Sequence, residues 1–377
     1  MKERGALDLP LVSVVLMLLG LGLVMVYSSS AVYAMEKYGS STYFFWRQLT
    51  WAGVGAAAGV TFIFYDHRKL RRWVKPSLIA CAVVLALVLV FGKEVSGARR
   101  WLKLGWFGFQ PSEFAKLVLI VFTAYYCDKK RSRIHSFRQG LLPLLSVLAF
   151  FSGMIFFQPD LGTPVLILLT CLTLMLIAGA RFRHIFGIGA ALLPLLFLAM
   201  RLEPYRWRRI LAFLDPWENA RGASYQLVQS LLALGSGGLF GSGLGDSHSK
   251  LLYLPEPHTD FIFPIFGEEF GLMGSWFILV LFGVLAGIGF KIAARASSLF
   301  GTLLAGGITL MTLYQAVINI AMVTGCLPTK GVPLPFLSFG GSSLVVTLAG
   351  MGILINISRS SRGSGEPEHS AAGKGSR

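Results

Sequence analysis

Apolar runs of roughly 17–25 residues recur from one end of this sequence to the other, each long enough to cross a bilayer as a helix. They are continuous rather than alternating, which argues against a closed membrane barrel. A helix satisfies its own backbone hydrogen bonds in lipid, so such runs lead to one fold class: an all-α polytopic membrane protein. Ten spans are expected, over residues 10–33, 47–65, 76–92, 111–126, 141–157, 162–179, 184–200, 264–290, 300–325 and 341–357. Charged residues are only 14% of the chain, against about a quarter in soluble domains, in keeping with that class.

A net charge of +16 would suggest nucleic acid in a soluble protein. Here the excess lies in short loops between apolar runs, where it reports orientation instead. Residues 66–75 and 128–138, Arg181 with Arg183, Lys291 with Arg295, and the two terminal segments hold 20 of the 34 Lys and Arg. Of the basic residues expected opposite, six lie in one long loop, 201–262, a length class that the rule discounts. Both termini are therefore expected in the cytoplasm. A single ten-helix domain is expected over 1–358, with 201–262 as a large extracytoplasmic loop between helices 7 and 8. A Gly/Ser-rich tail, 359–377, is expected to be disordered. Met1-Lys-Glu-Arg leads into the first run without a small-residue cleavage site, so that run reads as a retained helix. The four cysteines form no CxxC pair and suggest neither a disulfide framework nor a zinc site.

Polar chemistry collects in the outer segments. In Leu254-Pro-Glu-Pro-His-Thr-Asp-Phe-Ile-Phe263, two prolines stiffen a turn that presents His258 and Asp260 at a membrane edge. Asp260 is either a solvated loop acid or a functional carboxylate, since an ionisable group there is costly without a partner or a task. Ser112 is a plausible N-cap for the fourth span. Glu113 and Lys116 stand at i and i+3 on that span. They form a structural ion pair or, with Arg99 and Arg100, a receptor for an anionic head group such as pyrophosphate. Asp160 either caps the helix after it or holds an arginine from the long loop.

Residues 205–217 interleave basic and aromatic residues, as an interfacial segment does. Residues 224–235 read as a short amphipathic helix ended by glycine. The Gly-rich run 235–245 lacks the Gly-Lys-Ser/Thr ending of a P-loop. It suggests close backbone packing, around a sugar or lipid head among other options. Glu268 and Glu269 are a second acidic pair, and Lys330 is a candidate partner for one of them. Residues 324–343 alternate Pro and Gly, so they form a broken or re-entrant element, which must be buried in protein or line a wet cavity. No HExxH, catalytic-triad, Rossmann or Walker A pattern is present.

Taken together, several stretches resemble the SEDS family of peptidoglycan polymerases, which includes FtsW, RodA and SpoVE. They are Val26-Tyr-Ser-Ser-Ser, Arg100-Trp-Leu with Gln110-Pro-Ser-Glu-Phe-Ala-Lys116, Gln158-Pro-Asp-Leu-Gly-Thr163, Tyr225-Gln, the 254–263 stretch, Gly267-Glu-Glu269 and Pro333-Leu-Pro-Phe-Leu-Ser-Phe-Gly-Gly-Ser-Ser343. Residues 29–39 and 327–331 are closer to FtsW and SpoVE, whereas Pro333-Leu-Pro335 is closer to RodA. Phe339 stands where the family usually has Tyr, and Pro257 where it more often has Ala or Gln.

The resemblance implies glycosyl transfer from lipid II on the outer face of the bacterial cytoplasmic membrane, in division or shape maintenance. The family's essential aspartate, in His-Thr-Asp-Phe, corresponds to Asp260, the expected general base. Arg99, Arg100, Glu113, Lys116, Asp160, His258, Lys330, Ser342 and Ser343 complete the expected substrate-binding set. No motif demands a cofactor, though a divalent cation (Mg or Mn) is compatible with pyrophosphate chemistry. Implied partners are a class B penicillin-binding protein, divisome or elongasome regulators, and membrane lipid, with no nucleic acid. A lipid II flippase is the alternative. It fits less well because the charged residues cluster at the outer ends of spans. A non-catalytic division scaffold would leave Asp260 without a purpose.

Overall fold

The computed structural model describes residues 7–95, 98–104, 107–222, 224–247 and 258–362. Each expected apolar run falls on a helix. The first seven are α1 (Leu9–Tyr38), α2 (Tyr43–Phe64), α3 (Leu70–Phe91), α4 (Pro111–Lys129), α5 (Leu142–Phe156), α6 (Gly162–Ile177) and α7 (Phe182–Arg201). Two short helices follow, α8 (Pro204–Leu214) and α9 (Tyr225–Ser236), and then α10 (Ile262–Arg295), α11 (Leu299–Val323) and α12 (Gly341–Arg362). Seven are long and apolar enough to cross a membrane: α1, α3, α5, α7, α10, α11 and α12. The other three expected spans, α2, α4 and α6, are helices of 22, 19 and 16 residues. The last is short, α4 carries charge at both ends, and α2 is diluted by Gly, Thr, Arg47 and Gln48.

The chain is not purely helical. Between α3 and α4 a small antiparallel sheet has the order β1 (Lys93–Val95), β2 (Ala98–Leu104), β3 (Phe107–Phe109), with Glu94 opposite Arg99 and Lys103 opposite Gly108. This segment is too charged to continue the apolar helix before it. Its Val, Trp and Phe residues suit a pleated surface.

Contacts sort the connections into two ends of the bundle. At one end Arg71 pairs with Asp128 at 3.0 Å and Arg68 donates to Ser297 at 3.2 Å. There too, Ser358 donates to Asp8 at 2.9 Å. At the other, the backbone N–H of Gln110 donates to Ser342 at 3.0 Å, and Gln48 Nε2 to the Ser338 carbonyl at 3.2 Å. The two groups match the two sets of segments separated by charge in the sequence. α12 continues past 358, to Arg362.

α10 breaks at Gly271 (φ 67°, ψ −164°). The Gly-rich run lies against this break. Ser242 N–H donates to the Glu268 carbonyl at 2.9 Å and Gly243 N–H to that of Glu269 at 3.1 Å. In return, Leu272 N–H donates to the Gly238 carbonyl at 2.9 Å and Met273 N–H to that of Leu239 at 3.1 Å. The expected close backbone packing is therefore with α10. It gives the polar groups freed by the kink partners inside the protein.

Candidate active site

α4 begins with Pro111 at its first turn, where a missing N–H costs nothing. Gln110, not Ser112, occupies the cap position, and its side chain donates to Ser112 Oγ at 3.1 Å. One turn in, Lys116 Nζ lies 2.7 Å from Glu113 Oε2, with both side chains buried. The ammonium also donates to Gln315 Oε1 of α11 at 2.8 Å. An ammonium has three donors. Gln315 and Glu113 are its partners among the described residues, and Lys116 also lines a cavity of about 950 Å³.

That cavity collects side chains distant in sequence: Arg100 from β2, Glu113 and Lys116 from α4, Asp160 before α6, Asp260 before α10, and Lys330 and Ser343 around the broken element. Asp260 is partly exposed. Its carbonyl accepts from Asn319 Nδ2 of α11 at 2.8 Å, which fixes the backbone two residues ahead of α10. Gly331 passes close by: a β-carbon there would sit 3.1 Å from Asp260 Oδ2.

Asp160 is buried just before Leu161, the cap residue of α6, and holds the helix's first turn, accepting from Thr163 N–H at 3.2 Å and Thr163 Oγ1 at 2.8 Å. The arginine held at this turn is Arg100 rather than one from the long loop. Its Nε donates to the Gln158 carbonyl at 3.0 Å and its terminal nitrogen to the Pro159 carbonyl. Part of the backbone of the broken element after α11 is satisfied within it: Ser338 N–H donates to the Leu334 carbonyl and Leu334 N–H to Ser338 Oγ.

Three candidates stand apart. The side chain of Arg99 lies outside the described residues, as does the 248–257 stretch leading to Asp260. Ser342 bonds to Gln110 N–H and to the Gly108 carbonyl, tying β3 and α4 to α12 rather than lining the cavity. His258 is buried behind it, its ring 4.1 Å from that of Phe44 and 5.5 Å from that of Phe339. Burial, with help from the positive charge of Lys37, pushes the His258 pKa down to about 4, so the ring is neutral at pH 7. Glu268 and Glu269 are also buried away from the cavity, accepting from Ser247 and Ser28 at 2.6 Å each.

Gln315 and Asn319 were missed at the sequence level. The available signal was two amides at i and i+4 in an otherwise apolar span, where polar side chains rarely stand without a task. Among the described residues no group of three His, Cys, Asp or Glu side chains is placed to hold a metal. The arrangement offers a carboxylate at one wall and a set of cations beside it, in a cavity of a size that takes a sizeable ligand.

The FtsW, RodA and SpoVE family model, described as a cell cycle protein, matches residues 9–363. Stage V sporulation protein E of Bacillus subtilis is 45% identical over 362 residues, covering 96% of this chain and 99% of its own length. A probable peptidoglycan glycosyltransferase FtsW of Trichlorobacter lovleyi is 42% identical over 353 residues, 93% of each chain. Among solved structures, one concerned with the structural coordination of polymerization and crosslinking by a peptidoglycan synthase complex contains a similar chain. It has a TM-score of 0.77 at 30% identity, covering 94% of this chain and 98% of that one. The rod shape determining protein RodA of Thermus thermophilus has a TM-score of 0.67 at 29% identity, covering 94% of this chain and 97% of RodA.

Proposed function

This chain belongs to the cell cycle protein family of FtsW, RodA and SpoVE, and from that premise we propose that it is a peptidoglycan glycosyltransferase that polymerises lipid II into β-1,4 glycan. One observation carries the reading: Asp260, Arg100, Lys116 and Lys330, from four separate segments, line one cavity at one end of the bundle.

In the proposed step the acceptor GlcNAc 4-hydroxyl attacks the anomeric carbon of the donor MurNAc, and Asp260 accepts the hydroxyl proton. The new glycosidic bond forms as the bond to undecaprenyl pyrophosphate breaks, and the electron pair leaves with the pyrophosphate. Lys116, Arg100 and Lys330 hold the pyrophosphate, in the bound donor as in the departing group, with Arg99 as a further candidate. Pyrophosphate leaves readily, so no general acid is needed, unlike glycoside hydrolysis with its two carboxylates. A single displacement inverts the α-linked donor to a β-linked product. Asp160 and Ser343 are proposed as further substrate contacts. A divalent cation (Mg or Mn) at the pyrophosphate is compatible with this step.

We place the cavity on the outer face of the cytoplasmic membrane with both termini inside. α1–α7 and α10–α12 would make the ten crossings, and α8 and α9 would lie in the outer loop. The proposed partner is a class B penicillin-binding protein, with division or elongation regulators beyond it. The deciding experiment uses purified protein, its transpeptidase partner, lipid II and a divalent cation, comparing wild type with Asp260→Asn. Wild type should make glycan, and the folded variant should bind lipid II and make none. Equal polymerisation by both would remove Asp260 as base. Transport of lipid II across vesicles without polymerisation by either would favour a flippase.

A further inference from the structure

α11 is buried along most of its length and contributes neither Gln315 nor Asn319 to the cavity wall. Both side chains are almost fully enclosed, at 1% and 0% exposure. At i and i+4 they share one helix face. Behind the wall, each amide holds a piece of the site. Gln315 Oε1 accepts from Lys116 Nζ at 2.8 Å, while its Nε2 donates to the Pro333 carbonyl at 2.9 Å. Asn319 Nδ2 donates to the Asp260 carbonyl at 2.8 Å and to the Val332 carbonyl at 2.7 Å. Two carbonyl acceptors fix which end of the Asn319 amide carries nitrogen. Its Oδ1 is left buried without a hydrogen-bond partner, a cost in its own right. An apolar residue would avoid that cost, so what the site retains is the paired donation that joins Asp260 to residue 332.

We propose that Gln315 and Asn319 are positioning residues with separate tasks: Gln315 sets the Lys116 ammonium against the substrate's pyrophosphate, and Asn319 sets Asp260 against the attacking hydroxyl. The proposal rests on the glycosyltransferase reading above. Gln315 accepts from one of the three donors on Lys116 and the Glu113 carboxylate pairs with its charge at 2.7 Å, so the ammonium is held at two points and keeps a donor for a phosphate oxygen. Asn319 acts one turn further on, through the Asp260 backbone. A catalytic group misplaced by about 1 Å can cost two orders of magnitude in rate.

The test is a split in kinetic constants, measured by glycan synthesis from lipid II. Gln315→Met removes the acceptor for Lys116 and should raise KM for lipid II about 10-fold with kcat within about twofold of wild type. Asn319→Ala should lower kcat roughly 10- to 100-fold with little change in KM. Asn319→Ser, which keeps one donor, should recover part of that loss and serves as the readout if Asn319→Ala does not fold. General destabilisation of one buried helix would move both constants alike for both positions. Parallel changes at the two residues, wild-type kinetics in either variant, or failure of both Asn319 variants to fold would overturn the proposal. Asp260→Asn run beside them separates the two ideas. If it stays fully active, the glycosyltransferase assignment of Asp260 fails. If it is inactive while the split is missing, only the positioning roles fail.

Discussion

His258 shows how a residue beside a site can serve it without facing it. Its ring is enclosed by Tyr33, Phe44 and Phe339, and its backbone carbonyl accepts from Phe339 N–H at 2.8 Å. It thereby joins the turn carrying Asp260 to the broken element before α12. Its pKa falls from 6.5 to about 4, first through burial and then through Lys37. The folded state thus binds the proton more weakly than the unfolded chain. The stability from the neutral ring is complete above about pH 6.5 and is lost as pH falls toward 4, to a total on the order of 3 kcal/mol. Thermal unfolding in detergent at pH 7 and pH 5 should show a larger drop for wild type than for His258→Gln. Equal drops would mean that another group sets the acid limb. The sequence placed His258 beside Asp260 but gave no sign that it faces away from the cavity. That depends on aromatic residues of α1, α2 and the 330s, brought together only by folding.

At the scale of elements, the break in α10 and the Gly-rich run form one device. Gly271 adopts a left-handed backbone, and a β-carbon there would lie 2.4 Å from Gly241 N. Gly271→Ala therefore meets both a positive φ that Ala resists and a backbone it cannot displace. The expected cost is about 2 kcal/mol or more, read as a lower unfolding midpoint and a smaller folded fraction on size exclusion. An unchanged midpoint would show that the kink relaxes. Helix starts and ends were largely legible, since long apolar runs bounded by Pro, Gly and charge mark them locally. The small sheet over 93–109 was not, because short strands are stabilised by pairing across the segment rather than by periodicity within it.

For the molecule as a whole, cysteine placement gives a test of orientation without mutation. Cys81, Cys127 and Cys171 are buried, whereas Cys326 is exposed just past α11, at the end of the bundle that carries the cavity. With the cavity outside, a membrane-impermeant thiol reagent added to intact cells should label Cys326 and leave the other three unmodified. Labelling of Cys326 only after the membrane is opened would reverse the proposed orientation.

The sequence by itself determined that the chain is a helical membrane protein, where its helices run, and which stretches between them are rich in polar groups. Each of these follows from local hydropathy, local charge and short motifs, properties set by neighbours along the chain. Only the tertiary structure decided which polar residues meet. It added Gln315 to the Glu113–Lys116 pair that the i, i+3 spacing already suggested, and it hung Asp260 from Asn319. It also turned His258 and Ser342 to structural contacts outside the cavity. The reason is physical: a buried polar group must find a partner, and here the partners lie up to 350 residues away along the chain, where no local pattern reports them.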